Sequence, residues 1–450
     1  MERLFGTDGI RGVANRDLTP ELAFRVGRIA ASLLKQKNRP ALILIGRDTR
    51  LSGGMLEGAL AGGITSTGVS VRLLGVIPTP GVAYLTRTLG AAAGVVISAS
   101  HNPIEDNGLK IFDHDGMKLS DEMEAEIESC YFEYNLSHAG NPRPEGAAIG
   151  QVFHDGEAAR LYLDHLRETC GSLTGMRLVV DCGHGAACAL ARELLEQLGA
   201  KVNLLHGEPD GGRINVQCGA TDTARLQQEV RRCGADAGLA FDGDADRLIA
   251  VDEKGAVVDG DAIMSICAID MVQRGALRKN TLVATVMSNG GLDLLAEEYG
   301  FRLLRAAVGD RYVLEEMLAG GYNLGGEQSG HIIFSDHTTT GDGLLTALQL
   351  LTITGSAGIP LSGLAGRLKR LPQVLYNQPV ATQKGWEENL AIATSIQALR
   401  DKLGHHGRVL IRPSGTEPLI RIMLEAPFPE DELWEEARSL AGIIAHEQGK

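Results

Sequence analysis

Paired cysteines are missing from this sequence. Its seven cysteines, at 130, 170, 182, 188, 218, 233 and 267, are odd in number, scattered and never spaced C-x-x-C. Neither a disulfide framework nor a zinc site is indicated, and a reducing compartment fits. Aromatic residues are scarce, at 4%, which disfavours an aromatic-rich β-sandwich. Runs of Lys and Arg are absent and the net charge is -14, so no nucleic acid partner is expected, because a polyanion is bound through clustered basic side chains. Any anionic ligand must be small and held locally. No segment carries ~18 uninterrupted apolar residues, and the opening M-E-R-L-F-G-T-D-G-I-R-G has no apolar stretch of leader length. The expectation is a cytoplasmic protein with no membrane association.

What the sequence does have is glycine, 57 of 450 residues, as suits an α/β protein with many tight strand-to-helix turns. The length suggests about three domains of ~150 residues. Short apolar runs alternate with helical stretches. A-L-I-L-I-G, V-S-V-R-L-L-G and G-V-V-I-S-A-S read as strands separated by helices over 53–68 and 81–90. The order recurs from Met176 as R-L-V-V-D, a helix from Ala186, K-V-N-L-L, a helix from Ala224 and A-D-A-G-L-A-F. It recurs again from Thr281 through T-L-V-A-T-V-M-S, G-L-D-L-L-A-E-E-Y-G, F-R-L-L-R-A-A-V-G, R-Y-V-L-E-E-M-L-A-G-G and Y-N-L-G-G. After Leu368–Val374 the pattern changes to strands first, then a helix, two strands and a final amphipathic helix. The expected fold is therefore α/β: three similar mixed α/β domains in series plus a smaller C-terminal α+β domain. Residues 137–150 read as the first linker, and the expected divisions are 1–145, 146–255, 256–370 and 371–450.

Four segments carry residues suited to chemistry. The strand G-V-V-I-S-A-S runs into Ser100-His101, and parallel sheets place ligands beyond the carboxyl ends of their strands. Alone, this segment reads as an ordinary polar turn of Ser, Asn and Pro, and it lacks the G-x-S-x-G elbow of α/β hydrolases. The second segment is D-G-D-A-D-R, with Asp242, Asp244 and Asp246 at alternate positions of an expected extended loop, giving hard oxygen ligands suited to Mg²⁺. An EF-hand is excluded by Arg247 where its turn needs Gly, and by strand-like flanks. A bare acidic loop is disfavoured, since such close carboxylates repel unless a cation neutralises them.

The third segment, R-P-S-G-T-E-P, offers the Arg412 guanidinium, the Ser414 and Thr416 hydroxyls and turn amides around Gly415, with Arg421 nearby, as an anion cradle. A plain hairpin turn explains it nearly as well. The fourth, G-G-E-Q-S-G-H, sets Glu327, Ser329 and His331 at alternate positions. A carboxylate beside a hydroxyl suits sugar hydroxyls, and a loop with a satisfied buried Glu suits the same letters. A fifth stretch, R-L-V-V-D-C-G-H-G-A-A-C, nearly matches G-x-G-x-x-G, with Glu208 downstream, but Cys188 stands where the third glycine belongs. A tight turn for close packing is the preferred reading.

Taken together and in this order, F-G-T-D-G-I-R-G, S-A-S-H-N-P, D-G-D-A-D-R, G-E-Q-S-G-H and R-P-S-G-T-E-P resemble the α-D-phosphohexomutase family over the whole chain. The opening motif and Gln328 are similar to its glucosamine phosphate branch, with the glucose and mannose phosphate branches as the alternative. The resemblance implies four domains around a central cleft and an isomerase that moves a phosphoryl group between O6 and O1 through a 1,6-bisphosphate. This would feed nucleotide-sugar and cell-wall precursor synthesis. It implies a covalent phosphoryl on Ser100 and one Mg²⁺ held by Ser100, Asp242, Asp244 and Asp246. His101, Lys110, Arg11 and Arg247 match catalytic positions; Glu327, Ser329, Arg412, Ser414, Gly415, Thr416 and Arg421 match substrate-binding ones. Lys110 as a base would need a depressed pKa. The implied partner is a small sugar phosphate, with glucose or glucosamine 1,6-bisphosphate as activator, and the protein is a monomer or homodimer.

Overall fold

The computed structural model describes residues 4–6, 8–35, 41–133, 143–414 and 418–449. The described residues gather into two compact units, one of residues 1–286 and 304–366, the other of residues 287–303 and 367–450.

The first unit holds three mixed sheets. In the first, β1 (Ile10–Val13), β2 (Leu42–Arg47), β3 (Ser70–Val76), β4 (Ala93–Ile97), β5 (Asp106–Phe112) and β6 (Val152–His154) lie in the order β1-β5-β4-β2-β3-β6. The second is made of β7 (Arg177–Asp181), β8 (Lys201–Leu205), β9 (Ala237–Phe241), β10 (Leu248–Asp252) and β11 (Val257–Val258), ordered β11-β10-β9-β7-β8. The third comprises β12 (Thr281–Thr285), β13 (Arg302–Ala306), β14 (Leu324–Gly326) and β15 (Ile332–Phe334), ordered β13-β12-β14-β15.

One design repeats in all three. Parallel strands form the centre, and the last of them turns back through an antiparallel hairpin: β4 to β5, β9 to β10 and β14 to β15. Each hairpin turn carries one of the motifs, residues 98–105, 242–247 and 327–331. The strands β4, β9, β10, β12, β14 and β15 are buried along their whole length, in keeping with their mostly apolar letters. Local signals set the helices between them. Pro20–Leu34 starts on Thr19, whose side chain accepts the Leu22 N–H, with Pro at its first turn, and buries Ala23, Val26, Ala30 and Leu34.

Two helices not marked by sequence period, Gly260–Gln273 and Gly343–Ala357, are apolar nearly all round and largely buried. The second begins on Asp342, whose carboxylate accepts the Leu345 N–H at 2.9 Å and the Tyr162 hydroxyl at 2.7 Å. Burial pushes this carboxyl up to about 6 against those hydrogen bonds. A raised folded-state pKa makes the native state bind the proton more tightly, so its stabilising effect is full at low pH and lost as pH rises through about 6. Unfolding titrations of the wild type and Asp342→Asn should therefore diverge between about pH 4 and 6.5, by up to ~3 kcal/mol in the variant's favour. A constant difference would contradict this.

The second unit is smaller. Three antiparallel strands, β16 (Gln373–Pro379), β17 (Arg408–Pro413) and β18 (Leu419–Glu425), lie in the order β16-β18-β17. Helices Leu390–Leu403 and Glu430–Gln448 close their core. Helix Gly291–Tyr299 is tied to this unit: Glu425 Oε1 accepts the Gly290 N–H at 2.7 Å, and Asn289 exchanges hydrogen bonds with Leu371 at 3.0 and 2.9 Å. Among the described residues no helix is long and apolar enough to cross a membrane.

Candidate active site

Ser100 lies just past the carboxyl end of β4, buried at 1% exposure, with φ of 51°. A left-handed serine is strained by roughly 1–2 kcal/mol, and it persists only where its surroundings over-determine it. Here they do. Its N–H donates to Ser98 Oγ at 2.9 Å, and its carbonyl accepts Arg50 Nη2 at 2.9 Å and Asn215 Nδ2 at 2.8 Å. The Arg50 guanidinium also donates to the carbonyls of Asn102 at 2.8 Å, Asp106 at 2.9 Å and Pro103, while Nε pairs with Asp48 at 3.0 Å. Asp48 in turn accepts the Ser98 hydroxyl at 2.6 Å. One buried side chain thus holds the whole turn, a role only a planar fork can fill. Arg50→Lys should cost about 3 kcal/mol of stability, because it leaves several buried carbonyls unpaired and loses the forked contact with Asp48. Turnover should fall with little change in KM, as read by denaturant unfolding and steady-state kinetics.

The acidic loop differs from expectation in shape. Asp242–Arg247 is a tight hairpin connection rather than an extended strand-like loop, because β9 and β10 are antiparallel neighbours paired from Phe241 to Leu248. Ala245 takes φ of 56°. Convergence of the carboxylates therefore comes from the turn and not from alternation. Gly243 sits in contact with the serine turn, where an added Cβ would lie 2.5 Å from the Ser100 carbonyl oxygen. Ser100 Oγ donates to Asp242 Oδ2 at 2.6 Å and lies 3.2 Å from His101 Nδ1.

Asp242, Asp244 and Asp246 each bring a carboxylate oxygen within 4.8 Å of the others, all buried. Asp244 Oδ1 and Asp246 Oδ1 are buried with no hydrogen-bond partner. Burial pushes the Asp242 carboxyl well up, and the neighbouring Asp246 and Asp244 charges add to it. Converging, orphaned, mutually repelling oxygens fit a hard divalent cation such as Mg²⁺. Thr79 orients the set by donating to Asp244 Oδ2 at 2.6 Å.

Lys110, on β5, faces the same oxygens, with Nζ 2.9 Å from Asp244, 3.2 Å from Asp246 and 3.2 Å from Asp8. Burial pulls this ammonium down, but the three carboxylates overcome it and hold it well above the usual lysine range. That direction is opposite to the one a base needs. His101 behaves oppositely: burial, then Arg247 and Arg11, hold it down to about 4, so its imidazole is neutral at pH 7. Arg11 reaches Asn102 Oδ1 at 3.1 Å and pairs with Asp8. Asp8 also pairs with Lys118, which pairs with Asp310.

A cavity of about 640 Å³ opens over these groups, lined by Asp8, Arg11, His101, Asp246, Arg247, Glu327 and His331 among others. Its size suits a sugar phosphate. Glu327 accepts the Gly309 N–H at 3.1 Å. His331 Nε2 accepts the Gly341 N–H at 2.9 Å, so the proton sits on Nδ1, 3.6 Å from Asp246. Ser329 is exposed on the turn. Gln328 donates to Asp259 at 3.3 Å, the residue that caps helix Gly260–Gln273.

In the second unit Arg412 and Arg421 are direct cross-strand partners on β17 and β18. Two like charges so placed are unfavourable without an anion. Arg421 Nε is buried with no hydrogen-bond partner. Ser414 is buried, its N–H bonded to the Leu419 carbonyl at 2.9 Å. Gly415 and Thr416 lie outside the described residues.

Comparison with known proteins agrees with the repeated hairpins. Models described as phosphoglucomutase/phosphomannomutase alpha/beta/alpha domains I, II and III match residues 2–138, 160–255 and 259–371, and the C-terminal domain matches 375–443. A phosphoglucosamine mutase of Symbiobacterium thermophilum is 56% identical over 94% of this chain and 95% of its own. The crystal structure of a putative phosphomannomutase from Thermus thermophilus superposes with TM-score 0.76 at 26% identity, covering 97% of this chain and 98% of that one. An Aspergillus fumigatus N-acetylphosphoglucosamine mutase, solved with GlcNAc-6P and magnesium, shares the fold at TM-score 0.68 and 19% identity, over 99% of this chain and 96% of that one. With matches of this kind spanning nearly every residue, the chain belongs to the phosphoglucomutase/phosphomannomutase family.

Proposed function

We propose that the protein interconverts glucosamine 6-phosphate and glucosamine 1-phosphate through a phosphorylated Ser100. The observation that carries the proposal is the Ser100 hydroxyl, fixed in a strained turn, 2.6 Å from a buried Asp242 carboxylate and next to His101, which lines the sugar-sized cavity. Relatives at 51–56% identity over nearly the whole chain, all named phosphoglucosamine mutase, support the choice of substrate.

In the first half-reaction the bond from phosphorus to Ser100 Oγ breaks and a bond from phosphorus to sugar O1 forms. The O1 proton leaves and Ser100 Oγ takes one up, giving glucosamine 1,6-bisphosphate. The sugar reorients, O6 gives its phosphoryl back to Ser100, and glucosamine 1-phosphate departs. His101 Nδ1, neutral and beside Oγ, is placed to pass the serine proton. Arg11, Arg247 and the Lys110 ammonium offset charge on the transferring oxygens. A Mg²⁺ ion held by Asp242, Asp244, Asp246 and a phosphoryl oxygen on Ser100 would supply further positive charge there. Glu327 and Ser329 are assigned to the sugar hydroxyls, and Arg412, Ser414, Gly415, Thr416 and Arg421 to the phosphate that is not reacting. Because one centre serves both half-reactions, a 1,6-bisphosphate should also prime dephosphorylated enzyme.

Assay of hexose and hexosamine 1-phosphates tests the substrate assignment. Glucosamine 1-phosphate should show a specificity constant at least about tenfold above glucose and mannose 1-phosphates, with weak residual glucose activity. Equal or better turnover of a neutral sugar would move the assignment to the glucose or mannose phosphate branch.

A further inference from the structure

At the carboxyl edge of the second sheet, one strand away from the Asp242 loop, three segments bring together another set of metal-type donors. Asp181 ends β7, His206 follows β8, and Cys218 lies in the connection before helix Ala224–Cys233. β7 and β8 are parallel neighbours with Asp181 beside Leu205, so the two chain ends emerge side by side. One carboxylate oxygen, one imidazole nitrogen and the thiol sulfur of these residues lie within 4.8 Å of one another. Asp181 and Cys218 are fully buried, while the His206 side chain is 27% exposed.

These donors satisfy one another only in part. Asp181 Oδ1 accepts the Gly183 N–H at 2.9 Å, but Oδ2 is buried with no partner. His206 Nδ1 stands 3.0 Å from Asp181 Oδ1 without making a hydrogen bond, and that nitrogen is also buried without a hydrogen-bond partner. Leaving a buried carboxylate oxygen without a partner is destabilising, and a cation would relieve that cost. Oxygen, nitrogen and sulfur donors together suit zinc at ~2.0–2.3 Å, whereas Mg²⁺ prefers oxygen alone.

We propose that Asp181, His206 and Cys218 bind a zinc-class divalent cation, with water as fourth ligand on the exposed side of His206. On binding, the Cys218 thiol releases its proton to solvent and the sulfur becomes the ligand, with no change of oxidation state. The consequence reaches the serine turn. His206 and Cys218 bracket the loop that carries Asn215, whose amide holds the Ser100 carbonyl at 2.8 Å. The cation closes the base of that loop and fixes Asn215 in place. The site does not depend on the identity of the sugar.

The test uses the full chain, stripped of metal and returned to excess Mg²⁺, with Co²⁺ as the probe. A thiolate-to-cobalt charge-transfer absorption should saturate at one ion per chain, disappear in Cys218→Ser and persist in Asp244→Asn. His206→Asn, which alters a part-exposed side chain, should weaken Co²⁺ binding about tenfold or more. Zn²⁺ should raise the unfolding midpoint of the wild type but not of His206→Asn. Absence of the thiolate band in wild type, its survival in Cys218→Ser, or undiminished Co²⁺ affinity in His206→Asn would overturn the proposal.

Discussion

Replacing Ser100 by alanine is expected to lower mutase turnover at least about 10⁴-fold while the protein remains folded. The phosphoryl group has one resting place in the proposed mechanism, and alanine removes it. Adding a 1,6-bisphosphate should not rescue the variant, since no acceptor remains for the returning group. Ser100→Thr is a sharper probe. It keeps a hydroxyl but puts a β-branched residue at φ of 51°, where such residues are outliers, so it should retain only a small fraction of activity. An alanine variant within tenfold of wild type would rule out the covalent route.

Removal of the divalent cation should have the next largest effect. Asp244 is the most constrained ligand: Oδ2 accepts both Thr79 at 2.6 Å and Lys110 at 2.9 Å, while Oδ1 is buried without a partner. Asp244→Asn keeps the shape, loses the charge and turns an NH₂ toward a donor. Metal affinity measured by calorimetry should drop, and turnover should fall about 10²–10³-fold. Excess chelator should abolish wild-type activity and added Mg²⁺ restore it. Undiminished turnover in chelator would take the cation out of the reaction.

Those residues were legible in the sequence because each sits in a short motif at the end of a strand, where apolar letters stop and polar ones converge. The repeated βαβ order was legible for the same reason. The route by which the aspartates converge was not, since a left-handed Ala245 is invisible to a reading based on alternation. Nor were the residues that act at long range. Arg50 and Asn215 hold the Ser100 carbonyl from positions 50 residues before and 115 after it, through backbone acceptors that leave no trace in composition. Gln328 marks the resemblance to the glucosamine phosphate branch, and the hydrogen bond of its amide to the cap of a neighbouring helix is likewise invisible in the sequence. Lys110 matches a catalytic position in the resemblance, but the upward shift of its ammonium follows from Asp8, Asp244 and Asp246, which only folding brings together. Helices Gly260–Gln273 and Gly343–Ala357 escaped notice because they are buried on most sides and show no amphipathic period.

In the proposed mechanism a phosphoryl group resides on Ser100 between turnovers. Intact-mass analysis with peptide mapping, on enzyme incubated with a hexosamine 1,6-bisphosphate and then chased with excess glucosamine 6-phosphate, tests it directly. One added phosphoryl mass per chain is expected, confined to the peptide containing Ser100 and lost on the chase as bisphosphate appears. A phosphoryl group on another residue, or one that the chase leaves in place while turnover continues, would contradict it.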